Sequence, residues 1–164
     1  CGIDGGLIKA KKLKGEYDYG NVGDIYEVDA SIIRDNIAGG YIPVVSTVAY
    51  GDSDSPVYNI NADTAACKIA IALGAQNLML LTDTRGVMRD SKDESTLIPE
   101  IRIDEVQGLI DAGIISGGMI PKVECCVDAV RGGISHTVIL DGRIPHSILI
   151  EMLSDEGIGT LFKL

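Results

Sequence analysis

Asn61-Ala62-Asp63-Thr64-Ala65-Ala66-Cys67-Lys68-Ile69-Ala70-Ile71-Ala72-Leu73-Gly74, followed almost at once by Asn77-Leu78-Met79-Leu80-Leu81-Thr82, sets two periodicities side by side. In the first stretch Ala62, Ala65, Ala66, Ile69, Ala70 and Leu73 recur at three- and four-residue steps, the spacing of one helix face. Asn61 suits the cap of that helix and Gly74 its end. The second stretch is an unbroken apolar run of strand length, as a parallel strand covered on both faces requires. A helix feeding a buried strand is half of a crossover unit, and it predicts an α/β fold.

Outward from this stretch the alternation repeats. Asp29 caps a predicted helix carrying Ile32, Ile33 and Ile37, which Gly39-Gly40 stops ahead of a strand Ile42-Pro43-Val44-Val45-Ser46. Asp104 starts a helix through Val106, Leu109 and Ile110 that Gly113 closes. Pro121 fits the first turn of a helix carrying Val123 and Val127, which ends at Gly132-Gly133 before a strand Thr137-Val138-Ile139-Leu140. Pro145 opens a last helix with Ile148, Leu149 and Met152, and Thr160-Leu161-Phe162 follows as a closing strand. Strands separated by helices predict a three-layer αβα sandwich with a mainly parallel sheet. Residues 7–28 read differently: Lys9, Lys11, Lys12 and Lys14 followed by Gly15, Gly20 and Gly23 predict a protruding hairpin or loop.

The chain has 164 residues, the length of one domain spanning residues 1–164. Lys and Arg total 14 against 24 Asp and Glu, a formal net charge of -10, so nucleic acid and anionic lipid are disfavoured partners. No apolar run approaches the roughly 20 residues of a membrane span, and no signal-like start is present. A soluble, cytoplasmic protein is the expectation. Cys1, Cys67, Cys125 and Cys126 lack metal-ligand spacing and are expected to be reduced packing residues. Because the first residue is Cys1 and not Met, the chain is expected to begin inside a longer gene product.

In open α/β sheets ligands gather beyond the carboxyl ends of strands, where helix N-termini converge. Three places fit: Asn59-Ile60-Asn61-Ala62-Asp63, Thr82-Asp83-Thr84-Arg85-Gly86, and Gly117-Gly118-Met119-Ile120-Pro121-Lys122. Asp63 in a first helical turn complements the helix dipole, but two asparagines just before it exceed what a cap needs, so a ligand-facing carboxylate is expected. Lys122 sits at a helix start, where a cation is disfavoured unless an anion is near. Gly117 and Gly118 let backbone amides approach phosphate oxygens. Asp83 fits a turn start and a nucleotide contact equally. His136 and His146 are isolated and are expected to be structural. No P-loop and no protein-kinase signature occurs.

These motifs, with Leu80-Leu81-Thr82-Asp83 and Asp155-Glu156-Gly157-Ile158-Gly159-Thr160, resemble the acetylglutamate kinases of the amino-acid kinase family, in order and over nearly the whole chain. The resemblance implies the carbamate kinase-like fold of that family. It also implies ATP-dependent phosphorylation of the γ-carboxylate of N-acetyl-L-glutamate in arginine biosynthesis, with Mg²⁺ bridging the ATP phosphates and few or no protein ligands to the metal. It makes Lys122 and Asp63 the catalytic pair and Asn59 an acetylglutamate ligand. Asp83, Thr84, Arg85, Gly86, Val87 and Met88, with Ile114, Ile115 and Ser116, would line the nucleotide site. Glu151, Glu156 and Gly159 resemble an arginine-binding segment of feedback-inhibited members. Members of this family are homo-oligomers with about as much chain again in front, so the resemblance implies that the N-terminal half is missing and that these residues alone are inactive. The alternatives are a non-catalytic nucleotide- or arginine-binding regulatory domain, or another member of the family.

Overall fold

Alternation of apolar and charged residues shapes the first strands. In the computed structural model, which describes residues 1–51, 56–154 and 157–164, β1 (Ile8–Lys12) turns Ile8 and Ala10 fully inward and leaves its lysines at the surface. β2 (Gly23–Val28) pairs antiparallel with it, with a bulge at Lys9/Ala10. Lys9 reaches Glu27 at 2.7 Å and Lys12 reaches Asp18 at 2.9 Å. Exposed pairs of this kind contribute about 0–1 kcal/mol each, so the buried alternation governs the register. The expected hairpin region is thus an antiparallel pair whose first strand is part of the core.

Cys1–Leu73 forms one compact unit. Its other elements are α1 (Ser31–Ala38), β3 (Val48–Tyr50), β4 (Val57–Asn59) and α2 (Ala62–Leu73). The sheet order is β2-β1-β3-β4, parallel at β1/β3 and antiparallel at β3/β4. Asp29 Oδ1 accepts the Ser31 N–H at the start of α1, and Asn61 Oδ1 accepts the Thr64 N–H at 3.1 Å, capping α2 as the sequence predicts. Gly74 follows α2 at φ 66°, the left-handed stop. Leu7, Ile8, Ile33, Tyr58, Ile60 and Ala65 are at the centre of the core.

One predicted strand is corrected. Residues 42–46 keep the alternation, with Ile42 and Val44 91% and 92% exposed and Pro43 and Val45 turned inward, but they join no ladder among the described residues. Alternation specifies which side chains are buried. A strand also needs a neighbour to accept its hydrogen bonds, and here the ladder begins only at Val48.

Gly74–Leu164 forms the second unit: β5 (Asn77–Thr82), β6 (Glu100–Arg102), α3 (Val106–Asp111), α4 (Met119–Arg131), β7 (His136–Asp141), α5 (Ser147–Leu153) and β8 (Thr160–Lys163). The order is β5-β7-β8-β6, with β5/β7 and β6/β8 parallel and β7/β8 antiparallel. The chain is therefore α/β with mixed sheets. Parallel pairs are β1/β3, β5/β7 and β6/β8, half of the pairings, where the apolar runs led us to expect most. Ile139, Leu140, Val123, Cys126 and Phe162 are fully buried in this unit. Cys67 and Cys125 are buried too, and no disulfide occurs among the described cysteines. No helix of the described residues is long and apolar enough to cross a membrane.

Candidate functional site

The parallel pair β5/β7 places Thr82 directly beside Asp141, and the Gly142 N–H donates to the Thr82 carbonyl at 2.9 Å. Two loops therefore leave adjacent carboxyl ends, residues 82–88 from β5 and residues 141–147 from β7. α4 packs on β7 and is joined to it by the short link 132–135, so it runs back along the strand. Its N-terminal turn consequently lies at the same end as the two loops.

The 82–88 loop is held by a threonine from β8. Thr160 Oγ1 accepts the Val87 N–H at 2.9 Å and donates to the Ile98 carbonyl at 2.7 Å. Ile98 N–H in turn donates to the Val87 carbonyl, and Met88 bridges Leu97. Gly86 is at φ 150°, and a Cβ there would stand 2.4 Å from Thr160 Oγ1. Asp83 and Arg85 are exposed, Arg85 Nε lies 2.9 Å from Glu94 Oε2, and the Thr84 hydroxyl is buried with no hydrogen-bond partner among the described residues.

At the α4 entrance, Ile114 and Ile115 N–H groups both donate to the Leu109 carbonyl, Ile115 is buried and Ser116 exposed. Gly117 is at φ 54°, which accounts for its glycine. Gly118 has no such reason: its φ is -67° and nothing lies within 4 Å of where a Cβ would stand. Lys122, half-buried, is in the first turn of α4.

The residues expected to bind substrate belong to the other unit. Asn59 ends β4 with an exposed side chain, its N–H bonded to the Asn21 carbonyl, and Asp63 is half-buried in the first turn of α2. Asp63 and Lys122 are thus carried by different units.

Of the expected arginine-binding residues, Glu156 and its neighbour Asp155 lie outside the described residues. Glu151 Oε2 accepts the Ile158 and Gly159 N–H groups at 2.7 and 3.1 Å, so one carboxylate oxygen shapes the approach to β8. Gly159 is crowded, since a Cβ on it would stand only 2.4 Å from the Ile139 carbonyl oxygen.

Asp141 and Arg143 were not singled out from the sequence. Asp141 closes an apolar strand and is 5% exposed. Its carboxylate accepts the Arg143 backbone N–H and, as a fork, Nε and Nη2 of the same residue at 2.9, 2.9 and 2.8 Å. These bonds, with the charges of Arg143 and Arg85, hold the Asp141 pKa at about 2. An acid at the end of a buried strand, two residues before an arginine, is the signal that could have found the pair. Because the folded pKa is depressed, the pair's stabilisation is present above the ordinary value of 3.8 and is lost as pH falls through about 2. The urea-midpoint difference between the wild type and Asp141→Asn is expected to shrink between pH 5 and pH 2. A difference that stays constant over that range would contradict this assignment.

Among the described residues, no group of three or more His, Cys, Asp or Glu side chains is arranged to hold a metal ion.

The sequence pattern of the amino acid kinase family matches residues 1–141. The chain is 56% identical over 161 residues to the acetylglutamate kinase of Clostridium beijerinckii, covering 98% of this chain and 56% of that enzyme. It thus spans little more than half the length of that curated relative. Among solved structures, smu.665 from Streptococcus mutans UA159 superimposes with a TM-score of 0.78 at 29% identity, over 96% of this chain and 56% of the other. The carbamate kinase from Giardia superimposes at 0.66 over 87% of this chain and 51% of the other, with 18% identity, a likeness of fold.

Proposed function

From the premise that the chain belongs to the amino acid kinase family, we propose that it is the nucleotide-binding part of an enzyme that phosphorylates the γ-carboxylate of N-acetyl-L-glutamate with ATP. The observation that carries this reading is the 56% identity, over almost the whole chain, to an acetylglutamate kinase. The motifs agree with it: Asn59 at the end of β4 with Asn61 and Asp63 at the start of α2, and a glycine without structural need before Lys122.

In the proposed reaction a γ-carboxylate oxygen attacks the γ-phosphorus, the bond to the β,γ-bridging oxygen breaks, and ADP leaves an acyl phosphate behind. Such transfer depends on positioning and on stabilising the charge that spreads over the phosphoryl oxygens. Lys122 supplies positive charge to those oxygens, aided by backbone N–H groups at Gly117 and Gly118. Asp63 orients the cationic groups, and the Asn59 amide donates to the acyl substrate. The Asp83–Met88 loop and residues 114–116 hold the nucleotide. Mg²⁺ bound with ATP would supply charge neutralisation at the phosphates beside Lys122.

The test measures acyl phosphate, trapped as the hydroxamate, with these 164 residues and with a chain of the relatives' full length that carries them. The full-length chain is expected to turn over acetylglutamate at about 1–100 s⁻¹, and the shorter one at less than about a thousandth of that, since half a phosphate clamp stabilises little of the developing charge. Full turnover by the shorter chain would refute its inactivity. Nucleotide binding without turnover by the longer one would identify a regulatory binding domain instead.

A further inference from the structure

The loop leaving the carboxyl end of β7 opens onto a cavity of about 450 Å³, walled by Arg143, Ile144, Pro145, His146, Ile148 and Leu149. Among these residues Arg143 alone carries a full charge, so the wall is largely apolar with one guanidinium set into it. That guanidinium is held rigidly. Nε and Nη2 donate to the two carboxylate oxygens of Asp141, and the backbone N–H of Arg143 donates to Oδ1 as well. The Asp141 side chain is 7% exposed and the Arg143 side chain 67%. A half-buried fork therefore orients the plane of an exposed guanidinium. His146, at φ 60°, is the one non-glycine residue with positive φ among those described, and it turns the chain sharply at the cavity wall.

One edge of the guanidinium is thus used up and its charge is balanced. Asp83 and Glu94 add further negative charge around it. A phosphate would meet a compensated cation there, with its best donor edge already taken. A flat heterocycle would meet what the site still offers: a fixed planar face, which stacks well on aromatic rings, bordered by isoleucine and proline. The adjacent strand end brings Thr82 and Asp83 beside it, through the bond from Gly142 to Thr82.

We infer that Arg143, positioned by Asp141, is a stacking platform for the purine base of the nucleotide; the assignment rests on the nucleotide-binding reading given above. The test is equilibrium binding of ATP, adenosine and inorganic tripolyphosphate to the wild-type chain, to Arg143→Lys and to Asp141→Asn, with circular dichroism confirming the fold of each. Arg143→Lys keeps the charge and removes the plane. It is expected to weaken ATP and adenosine alike by about tenfold and to leave tripolyphosphate unchanged. Asp141→Asn is expected to give a smaller loss of the same pattern. Fluorescence of the 2-aminopurine nucleoside triphosphate should be quenched on binding to the wild type and less so in the lysine variant at saturation. Wild-type affinity in Arg143→Lys, or an equal loss for tripolyphosphate, would overturn the stacking role while leaving nucleotide binding intact. Failure of the wild type to bind ATP would instead remove the nucleotide reading and this inference with it.

Discussion

Lys122→Ala, made in a chain of the relatives' full length, is expected to lower kcat by about 10²–10³-fold, the usual loss for one preorganised charge-stabilising donor, while KM for ATP moves far less. The reason lies in where the lysine stands. The first turn of α4 presents the positive end of a helix dipole, which disfavours a cation by about 0.3–1 kcal/mol. Lys122 is half-buried there, behind a glycine that neither its φ nor any neighbouring atom requires. A negative charge that grows at this place during the reaction reverses the sign of that interaction. A contact that strengthens only as charge develops lowers kcat and kcat/KM together when it is removed. Steady-state kinetics would decide the matter: unchanged turnover in the alanine variant would make Lys122 a surface cation.

Gly86→Ala is expected to destabilise the second unit by about 2–4 kcal/mol, from backbone strain plus broken hydrogen bonds. At φ 150° an alanine is strained before any contact is counted, and its Cβ would stand 2.4 Å from Thr160 Oγ1 and 3.1 Å from both Thr160 N and Leu97 Cδ1. Thr160 must then move, which strands the Val87 N–H and the Ile98 carbonyl that its hydroxyl joins. A buried group left without its partner costs about 1–3 kcal/mol. For a chain of this size the melting temperature should fall by about 5–15 °C, with a loss of ADP affinity because the Asp83–Met88 loop is no longer pinned. Thr160→Ser, which keeps the hydroxyl, should behave nearly as the wild type, and Thr160→Val should resemble the glycine variant. Melting of Gly86→Ala at the wild-type temperature would contradict the proposed lock.

Much of this architecture is legible in the residues. The α2 helix from Ala62 to Leu73, its Asn61 cap and Gly74 stop, the β5 run and the Pro121 helix all appear as read. Each is encoded within one or two turns of chain. The residues expected at the site come from continuous motifs, and residues 82–88 and the first turn of α4 lie at one end of a parallel strand pair. The Asp141–Arg143 pair is only weakly marked in the sequence, because an Asp-Gly-Arg turn gains meaning once the burial of its aspartate is known. Glu151, expected in an arginine-binding segment, accepts two backbone amides seven and eight residues away, a use that cannot be read from spacing.

The sequence by itself determined most of the helices, their caps and stops, and the buried runs of β5 and β7, because periodicity, caps and glycine stops act over distances of three to five residues. Tertiary structure alone decided which strands pair, why residues 42–46 stay outside a ladder, and how Thr160 pins a loop 73 residues earlier in the chain. A hydrogen-bond partner distant in sequence is selected by packing in three dimensions, and no local pattern records that choice.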